Sequence, residues 1–346
     1  MSKIAVLTSG GDSPGMNAAV TSVARNAAYY GMSLVGIKRG YNGLLDLKSH
    51  DFFEMNLDTV LDLADLPGTY LRTARCSEFM EAQYREIAAR NLNQLDVSGL
   101  VVIGGDGSFR GAQHLCKLGI PCIGIPGTID NDLPYTEMTL GYDTAVNCDV
   151  EAIRAIRATS RSHDRSAVVE VMGRNCGDIA LASAEATGSE IVLVPEMPWS
   201  VEEVAERLNK LIASGNTRAT IVVAEGAYAS MKPFDVYEYL KPYGKEVFEG
   251  ETMNAKLLAS TLKRMCKGAD TRATVIGYTQ RGCQPTARDC TFAFEAGNMA
   301  VVLLKNGLGN QVIGTRNNRV FHTSIDTALC ETRNFKESLY TLINSL

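Results

Sequence analysis

Residues 100–111 read LVVIGGDGSFRG. Four apolar residues in a row, Leu100 to Ile103, fit a strand buried on both faces, the habit of parallel sheets. The run breaks into Gly104, Gly105, Asp106, Gly107 and Ser108, and a helix is expected after them. The same order recurs at the start of the chain. Ile4 to Leu7 is a strand candidate, T-S-G-G-D-S-P-G follows, and a small-residue helix is expected from about Asn17 to Tyr30. Cys122 to Ile125 runs into P-G-T-I-D-N-D, and similar apolar runs stand at 167–171, 191–194, 221–224 and 273–276. Strands alternating with helices at these lengths predict an α/β fold with mostly parallel sheets. Ligands bind such sheets at the carboxyl ends of the strands, where each of these loops is expected to lie.

The bulk properties narrow the function. At 346 residues the chain is long enough for two domains. A net charge of −5 argues against a nucleic-acid binder that works through phosphate contacts. Small phosphates remain accessible to an acidic chain if its arginines converge. Nine cysteines without a C-x-x-C pair read as free thiols in a reducing cytosol. The first residues, MSKIAVLTSGGD, carry no signal-peptide pattern. No run approaches 18 uncharged apolar residues, so no membrane span is expected. The composition shift at 228–252 (K-P-F, K-P-Y-G-K, F-E-G-E) reads as a surface excursion rather than a buried element.

Glycine after a strand lets backbone N–H groups approach a phosphate, and the next helix turns its positive end to the same anion. Gly10-Gly11 fits that use, though a tight strand–helix turn would look the same. The loop is not a P-loop, since no G-K-[S/T] follows. Nor does 105–111 match the dinucleotide fingerprint, its last glycine falling one residue late. Asp106 between two glycines suits Mg²⁺, which takes few protein ligands and keeps waters and phosphate oxygens. A helix-capping role for Asp106 is the alternative. In T-I-D-N-D, Thr128, Asp130 and Asp132 would face one way if the segment were extended. A carboxylate there can take the proton of an alcohol acceptor. An Asx-turn is the competing reading. Arg75, Arg165, Arg174, Arg272 and Arg281 stand beside strand ends or glycines, and the planar fork of arginine suits phosphate. Singly, each reads more readily as a surface or salt-bridge arginine than as a phosphate ligand. His50, His114, His163 and His322 have no metal-ligand spacing.

Together these segments resemble the bacterial phosphofructokinase family. The matching blocks are IAVLTSGGDSPGMNAA, RGYNGL, TARCSEF, VVIGGDGSFRGA, GIPGTIDNDL, GYDTAVN, SHDRSAVVEVMGRNCGD, VPEMP, AEGA and TRATVIGYTQRGCQP, in the family's order over roughly residues 3–320. The resemblance implies the phosphofructokinase fold: two Rossmann-like three-layer α/β domains with mostly parallel sheets. Residues 1–141 with about 280–330 would bind ATP, and 142–279 with about 331–346 would bind fructose 6-phosphate. The implied reaction moves the γ-phosphate of ATP to the sugar 1-hydroxyl in the cytoplasm. Gly11, Arg75, Cys76, Gly105, Asp106, Gly107 and Ser108 match ATP contacts, and Asp106 matches the Mg²⁺ position. Thr128, Ile129 and Asp130 match the substrate-hydroxyl loop, with Asp130 as base and Asp132 near it. Met172, Gly173, Arg174 and Glu225 match sugar contacts, and Arg281 a contact to the 6-phosphate. Arg75 and Arg174 would neutralise the transferring phosphoryl group. Arg165 and Arg272 match arginines supplied across a subunit interface in a homotetramer.

Departures from the pattern matter as well. Tyr278 stands where the bacterial ATP enzymes usually carry His beside the sugar phosphate, and a phenol still donates a hydrogen bond. The 228–252 excursion is longer than in compact members. Pyrophosphate-using members usually carry an acid at 107 and Lys at 127, and both are Gly here. In regulated members a second, basic pocket binds ADP or phosphoenolpyruvate. This chain keeps Arg25, Arg157, Gly188 and Glu190 of that pattern, but has Thr21, Ser214 and Asn216 where cations are usual. The competing readings are a pyrophosphate-dependent phosphotransferase, a non-catalytic sugar-phosphate-binding regulatory subunit, and a lipid or nucleotide kinase sharing G-G-D-G. The last leaves P-G-T-I-D-N-D and M-G-R unexplained.

Overall fold

A computed structural model describes residues 2–244, 247–268 and 270–345. Lys245 and Glu246 of the 228–252 excursion, and Met1 and Leu346 at the ends of the expected domains, lie outside the described residues. The chain forms two compact units, Met1–Thr144 with Arg281–Asn334, and Ala145–Gln280 with Phe335–Leu346.

The first unit is built on seven strands: β1 (Lys3–Thr8), β2 (Ser33–Ile37), β3 (Phe52–Glu54), β4 (Val97–Gly104), β5 (Cys122–Pro126), β10 (Gln311–Arg316) and β11 (Arg319–Ser324). Their order is β11-β10-β5-β4-β1-β2-β3. The central pairs are parallel, and the two edge strands, β3 and β11, run antiparallel to their neighbours. Side chains alternate between two cores because successive residues of a strand face opposite ways. Ile4, Val6, Val101, Ile103, Ile123 and Ile125 pack on one face with the helices Met16–Tyr29 and Ala287–Lys305. Ala5, Leu7, Leu100, Val102 and Cys122 pack on the other with Ala82–Gln94 and Asp106–Lys117. Burial on both faces is why these strands read as unbroken apolar runs.

The second unit holds a four-stranded, wholly parallel sheet of β6 (Ala167–Val171), β7 (Ile191–Leu193), β8 (Thr220–Ala224) and β9 (Arg272–Val275), in the order β7-β8-β6-β9. The helix Val201–Ala213 opens on a capping box of Ser200 and Glu203, which satisfies two backbone donors reciprocally. The last segment of the chain closes the β7 edge. The Asn344 side chain accepts from the Val192 N–H and donates to its carbonyl, both at 3.1 Å, and so satisfies an edge strand's free backbone.

Three local expectations are corrected. The helix after β4 begins at Asp106 itself, so Asp106, Gly107 and Ser108 form its first turn and not a loop before it. The T-I-D-N-D segment is not extended: it bends at Ile129 and Asp130, and Asn131 has φ 52°, which breaks the one-sided alternation. The 228–252 excursion is not wholly a surface loop, because a short helix, Val236–Leu240, buries Val236 and Leu240. Asp235 caps that helix by accepting from the Glu238 N–H. Among the described residues no helix is long and apolar enough to cross a membrane.

Candidate active site

In the first unit the loops after β1, β4 and β5 emerge at the carboxyl ends of adjacent parallel strands. They are drawn together by backbone bonds. The Ser9 N–H donates to the Ile103 carbonyl at 2.9 Å, and the Gly127 N–H to the Gly104 carbonyl at 3.0 Å. Gly104 permits this approach. A Cβ there would stand 2.5 Å from Ser108 Oγ and 2.6 Å from the Ser9 carbonyl oxygen. The T-A-R-C segment is tied to the same place, since Thr73 Oγ1 donates to the Gly10 carbonyl at 2.9 Å and Thr8 Oγ1 to the Arg72 carbonyl at 2.8 Å. Exposed Arg75 and half-buried Cys76 are thereby anchored beside Gly10 and Gly11. The Arg281 guanidinium joins them, donating to the Asp12 carbonyl at 2.6 Å.

Asp106 is about half exposed and forms an ion pair with Arg110 one turn on, at 3.0 Å. Gly105 and Gly107 flank it with little around them: a Cβ on Gly107 would meet no atom within 4 Å. Ser108 is buried, and its carbonyl accepts from the buried Tyr41 hydroxyl. The 128–132 loop is braced by Thr139, whose hydroxyl donates to the Thr128 carbonyl at 2.7 Å and whose N–H donates to Asn131 Oδ1 at 3.0 Å. Asp130 and Ile129 are buried, while Thr128 and Asp132 are half-buried.

The second unit carries the other group. Arg174 stands exposed at φ 54°, after Gly173 at φ 136°. The turn closes with the Cys176 N–H on the Gly173 carbonyl at 2.9 Å. Glu225, at the end of β8, accepts from the Arg174 N–H at 2.8 Å, so the β6 and β8 loops hold each other. Gly226 makes room for this turn, since a Cβ there would stand 2.0 Å from the Arg174 carbonyl oxygen. The Met172 N–H donates to Gln280 Oε1 at 2.8 Å. Tyr278 is 84% exposed at the carboxyl end of β9. Arg165 and Arg272 meet on Asp270 at 3.0 Å each, and Lys263 reaches its other oxygen at 2.8 Å. Three cations on one carboxylate leave a net positive, largely exposed cluster.

A family profile described as Phosphofructokinase matches residues 3–304. A Clostridium perfringens protein named ATP-dependent 6-phosphofructokinase 1 is 45% identical over the whole chain and 99% of its own length. The chain belongs to the phosphofructokinase family. A Paenibacillus macquariensis relative named ATP-dependent 6-phosphofructokinase is 43% identical over 98% of this chain and 97% of its own. Among solved phosphofructokinases, that of Saccharomyces cerevisiae superposes with a TM-score of 0.81 at 31% identity, over 95% of this chain. This chain spans 45% of that larger one. A pyrophosphate-dependent phosphofructokinase from Marinobacter aquaeolei shares the fold, with a TM-score of 0.77 at 21% identity over 98% of this chain and 86% of its own.

Several supporting residues of this phosphofructokinase were not singled out by sequence reasoning. Gln280 and Asp149 lie behind Met172, and Lys263 and Asp270 hold the Arg165–Arg272 pair. A signal for Asp149 was available, because a lone acid sits among the apolar-spaced positions of the Tyr142–His163 helix. Asp289 is another buried acid. It accepts from the Gly141 and Thr144 N–H groups, both at 2.8 Å, and burial still pushes its carboxyl up to about 6.

Proposed function

We propose that the chain is an ATP-dependent 6-phosphofructokinase that phosphorylates the 1-hydroxyl of fructose 6-phosphate in the cytoplasm. The observation that carries this reading is the 45% identity, end to end, with a relative named for that activity. The first unit takes ATP, with Gly11, Arg75, Cys76, Gly105, Gly107 and Ser108 around the nucleotide and its phosphates. The helix starting at Asp106 turns its positive end toward that anion. Asp130 takes the proton of the sugar hydroxyl, with Thr128 and Ile129 shaping the loop and Asp132 supporting it. The second unit takes the sugar phosphate through Met172, Gly173, Arg174, Glu225 and Tyr278. Arg75 and Arg174 oppose the charge that spreads over the moving phosphoryl oxygens. Arg281, whose guanidinium donates to the Asp12 carbonyl, adds a contact to the sugar 6-phosphate.

The donor set fits Mg²⁺. Asp106 is a single, accessible carboxylate at a helix start, and Mg²⁺ takes one or two carboxylates and fills its sphere with water and phosphate. Among the described residues no group of three or more His, Cys, Asp or Glu side chains is poised for a metal. When bound with ATP, Mg²⁺ neutralises phosphate charge.

The Arg165–Lys263–Arg272 cluster serves the sugar phosphate of a neighbouring subunit in a tetramer. Mixing Arg165→Ala with Asp130→Ser subunits would then regenerate some competent sites. Absence of recovery in verified mixed oligomers argues against shared sites.

Pyrophosphate as donor is the second reading, because pyrophosphate-dependent proteins share the fold. Gly127 argues against a Lys there: even a Cβ would stand 2.9 Å from Met16 Cε and 3.0 Å from Ile103 Cγ2. The deciding assay supplies purified protein with fructose 6-phosphate, Mg²⁺ and either ATP or pyrophosphate. Turnover with ATP exceeding that with pyrophosphate by at least about tenfold in kcat/KM supports the proposal, about 1.4 kcal/mol of transition-state binding. Equal turnover, or none with either, overturns it.

A further inference from the structure

Met172 begins the turn that carries Gly173 and Arg174, and its N–H is held by a buried side chain from far along the chain. Gln280, fully buried, accepts from that N–H through Oε1 at 2.8 Å. A backbone N–H can only donate, so the amide orientation is fixed: oxygen toward Met172, nitrogen away. Gln280 Nε2 must then donate, and it does so to Asp149 Oδ2 at 2.8 Å. Asp149 is fully buried on the Tyr142–His163 helix, and its Oδ1 has no hydrogen-bond partner among the described residues. Nothing in the proposed reaction uses this acid. A carboxyl buried in this way is costly and is kept only where it satisfies another group.

We propose that Asp149 is a positioning residue: it locks the Gln280 amide, and Gln280 holds Met172 and with it the Gly173–Arg174 turn. The proposal rests on the reading of Met172–Arg174 as sugar contacts. Arg174 is a non-glycine residue at φ 54°, the strained position of the turn, and the Met172 tie adds to the one that Glu225 makes with the Arg174 N–H. The same amide fixes the chain at Gln280, two residues after exposed Tyr278 and one before Arg281. Burial pushes the Asp149 carboxyl up to about 8, so near neutrality it is an uncharged acceptor for Gln280. What the relay requires from position 149 is therefore an acceptor and not a charge.

That distinction sets the test, run on the full-length protein with fructose 6-phosphate and ATP saturation curves. Asp149→Val and Gln280→Leu break the relay at different points. Each is expected to raise KM for fructose 6-phosphate about tenfold at unchanged KM for ATP. Asp149→Asn restores an acceptor without a charge and recovers most of that loss. An unchanged fructose 6-phosphate KM in Gln280→Leu, or equal increases for both substrates, overturns the relay. So does an Asn variant as impaired as Val. Arg174→Ala separates the two levels of the argument. If it raises the sugar KM while Gln280→Leu does not, the relay fails and the sugar assignment stands. If Arg174→Ala leaves the sugar KM unchanged, the assignment fails and the proposal with it. Should Asp149→Val not fold, Gln280→Leu and Asp149→Asn still decide.

Discussion

The Arg281 guanidinium rests on Gly11: a Cβ added at that glycine would stand 3.1 Å from Arg281 Nη1, which itself donates to the Asp12 carbonyl at 2.6 Å. The two residues are 270 positions apart, and absence of a side chain at one is what seats the charge of the other. Gly11 has no positive φ, so alanine is not excluded by backbone strain. The atom it would press is the end of a flexible side chain. Gly11→Ala is therefore expected to fold, with a melting temperature within about 2 °C of the parent, under ~1 kcal/mol. Displacing the guanidinium should lower kcat/KM about tenfold, or ~1.4 kcal/mol. A variant that melts much lower while its kinetics hold would show that the contact serves packing alone.

On the proposed reading, donor choice turns on two glycines with opposite surroundings. Position 107 is open, and position 127 is crowded by Met16 and Ile103. Gly107→Asp should fold normally and place a second carboxylate beside Asp106, where it repels nucleotide phosphate. We expect kcat/KM for ATP to fall at least about tenfold with thermal stability held within ~1 kcal/mol. Gly127→Lys should instead destabilise the fold by about 1–3 kcal/mol through overpacking, read as a lower melting temperature. If Gly107→Asp uses ATP as well as the parent, position 107 does not face the phosphates.

The proposed base is tested at Asp130. Replacement by serine removes the carboxylate and keeps a small polar side chain in a buried position. We expect kcat to fall by roughly 10²–10⁴, the scale for a positioned base, with the fructose 6-phosphate KM little changed. A change in kcat below about threefold would reject the assignment.

How far the sequence carried this picture depends on what each segment had to do. β1, β4, β5, β6 and β8 were legible because strands buried on both faces must be continuously apolar. β10 and β11 were not, since β11 is an exposed-face edge strand whose RVFHTS alternates weakly. Glycines marked the loops after β1, β4 and β5, yet the helix start at Asp106 could not be read from them, as a glycine turn and a glycine-rich first helical turn look alike. The alternation of Thr128, Asp130 and Asp132 misled because Asn131 adopts a left-handed conformation, which asparagine tolerates and no periodicity reveals. Gln280 escaped notice because its value lies in a contact 131 residues long, and the lone acid at 149 marks a buried carboxyl on its helix without naming the partner it serves.

Asp149 also predicts a pH dependence of stability. An unfolded aspartate titrates near 3.9, whereas burial raises this one to about 8 in the folded chain. Between those values the folded state keeps a proton that the unfolded state releases, so stability falls as pH rises through the window. Asparagine does not titrate. Asp149→Asn should therefore gain on the parent from pH 5 to pH 7, by up to about 2–3 kcal/mol at ~1.4 kcal/mol per unit. Melting curves at the two pH values measure it. A constant difference between the two proteins would mean that Asp149 ionises normally.

The last expectation concerns regulation, and it rests on one retained cation, Arg157, that is already committed and on three positions that carry no charge. Arg157 donates to both oxygens of Glu190, at 3.1 and 3.4 Å, and the pair is largely buried, with side chains 17% and 11% exposed. Glu190 also accepts from Asn216 Nδ2 at 3.1 Å and from the Thr220 N–H at 2.7 Å. A phosphate seeking Arg157 would have to displace a carboxylate held by four bonds, and breaking a buried pair costs about 3–5 kcal/mol. Arg25 lies over the Phe294 ring, 5.6 Å from its centroid. Thr21, standing where a cation is usual in regulated relatives, is buried with its hydroxyl on the Val60 carbonyl. Ser214 and Asn216 supply no charge, and each absent cation removes a charge-assisted bond of roughly 1.5–3 kcal/mol. A ligand that does not bind at working concentration cannot shift an equilibrium between states. We therefore expect fructose 6-phosphate saturation to move less than about twofold with ~1 mM ADP or phosphoenolpyruvate, a level at which even weak ligands bind. A several-fold shift of half-saturation that Arg25→Ala abolishes would show the pocket to be functional and the expectation wrong.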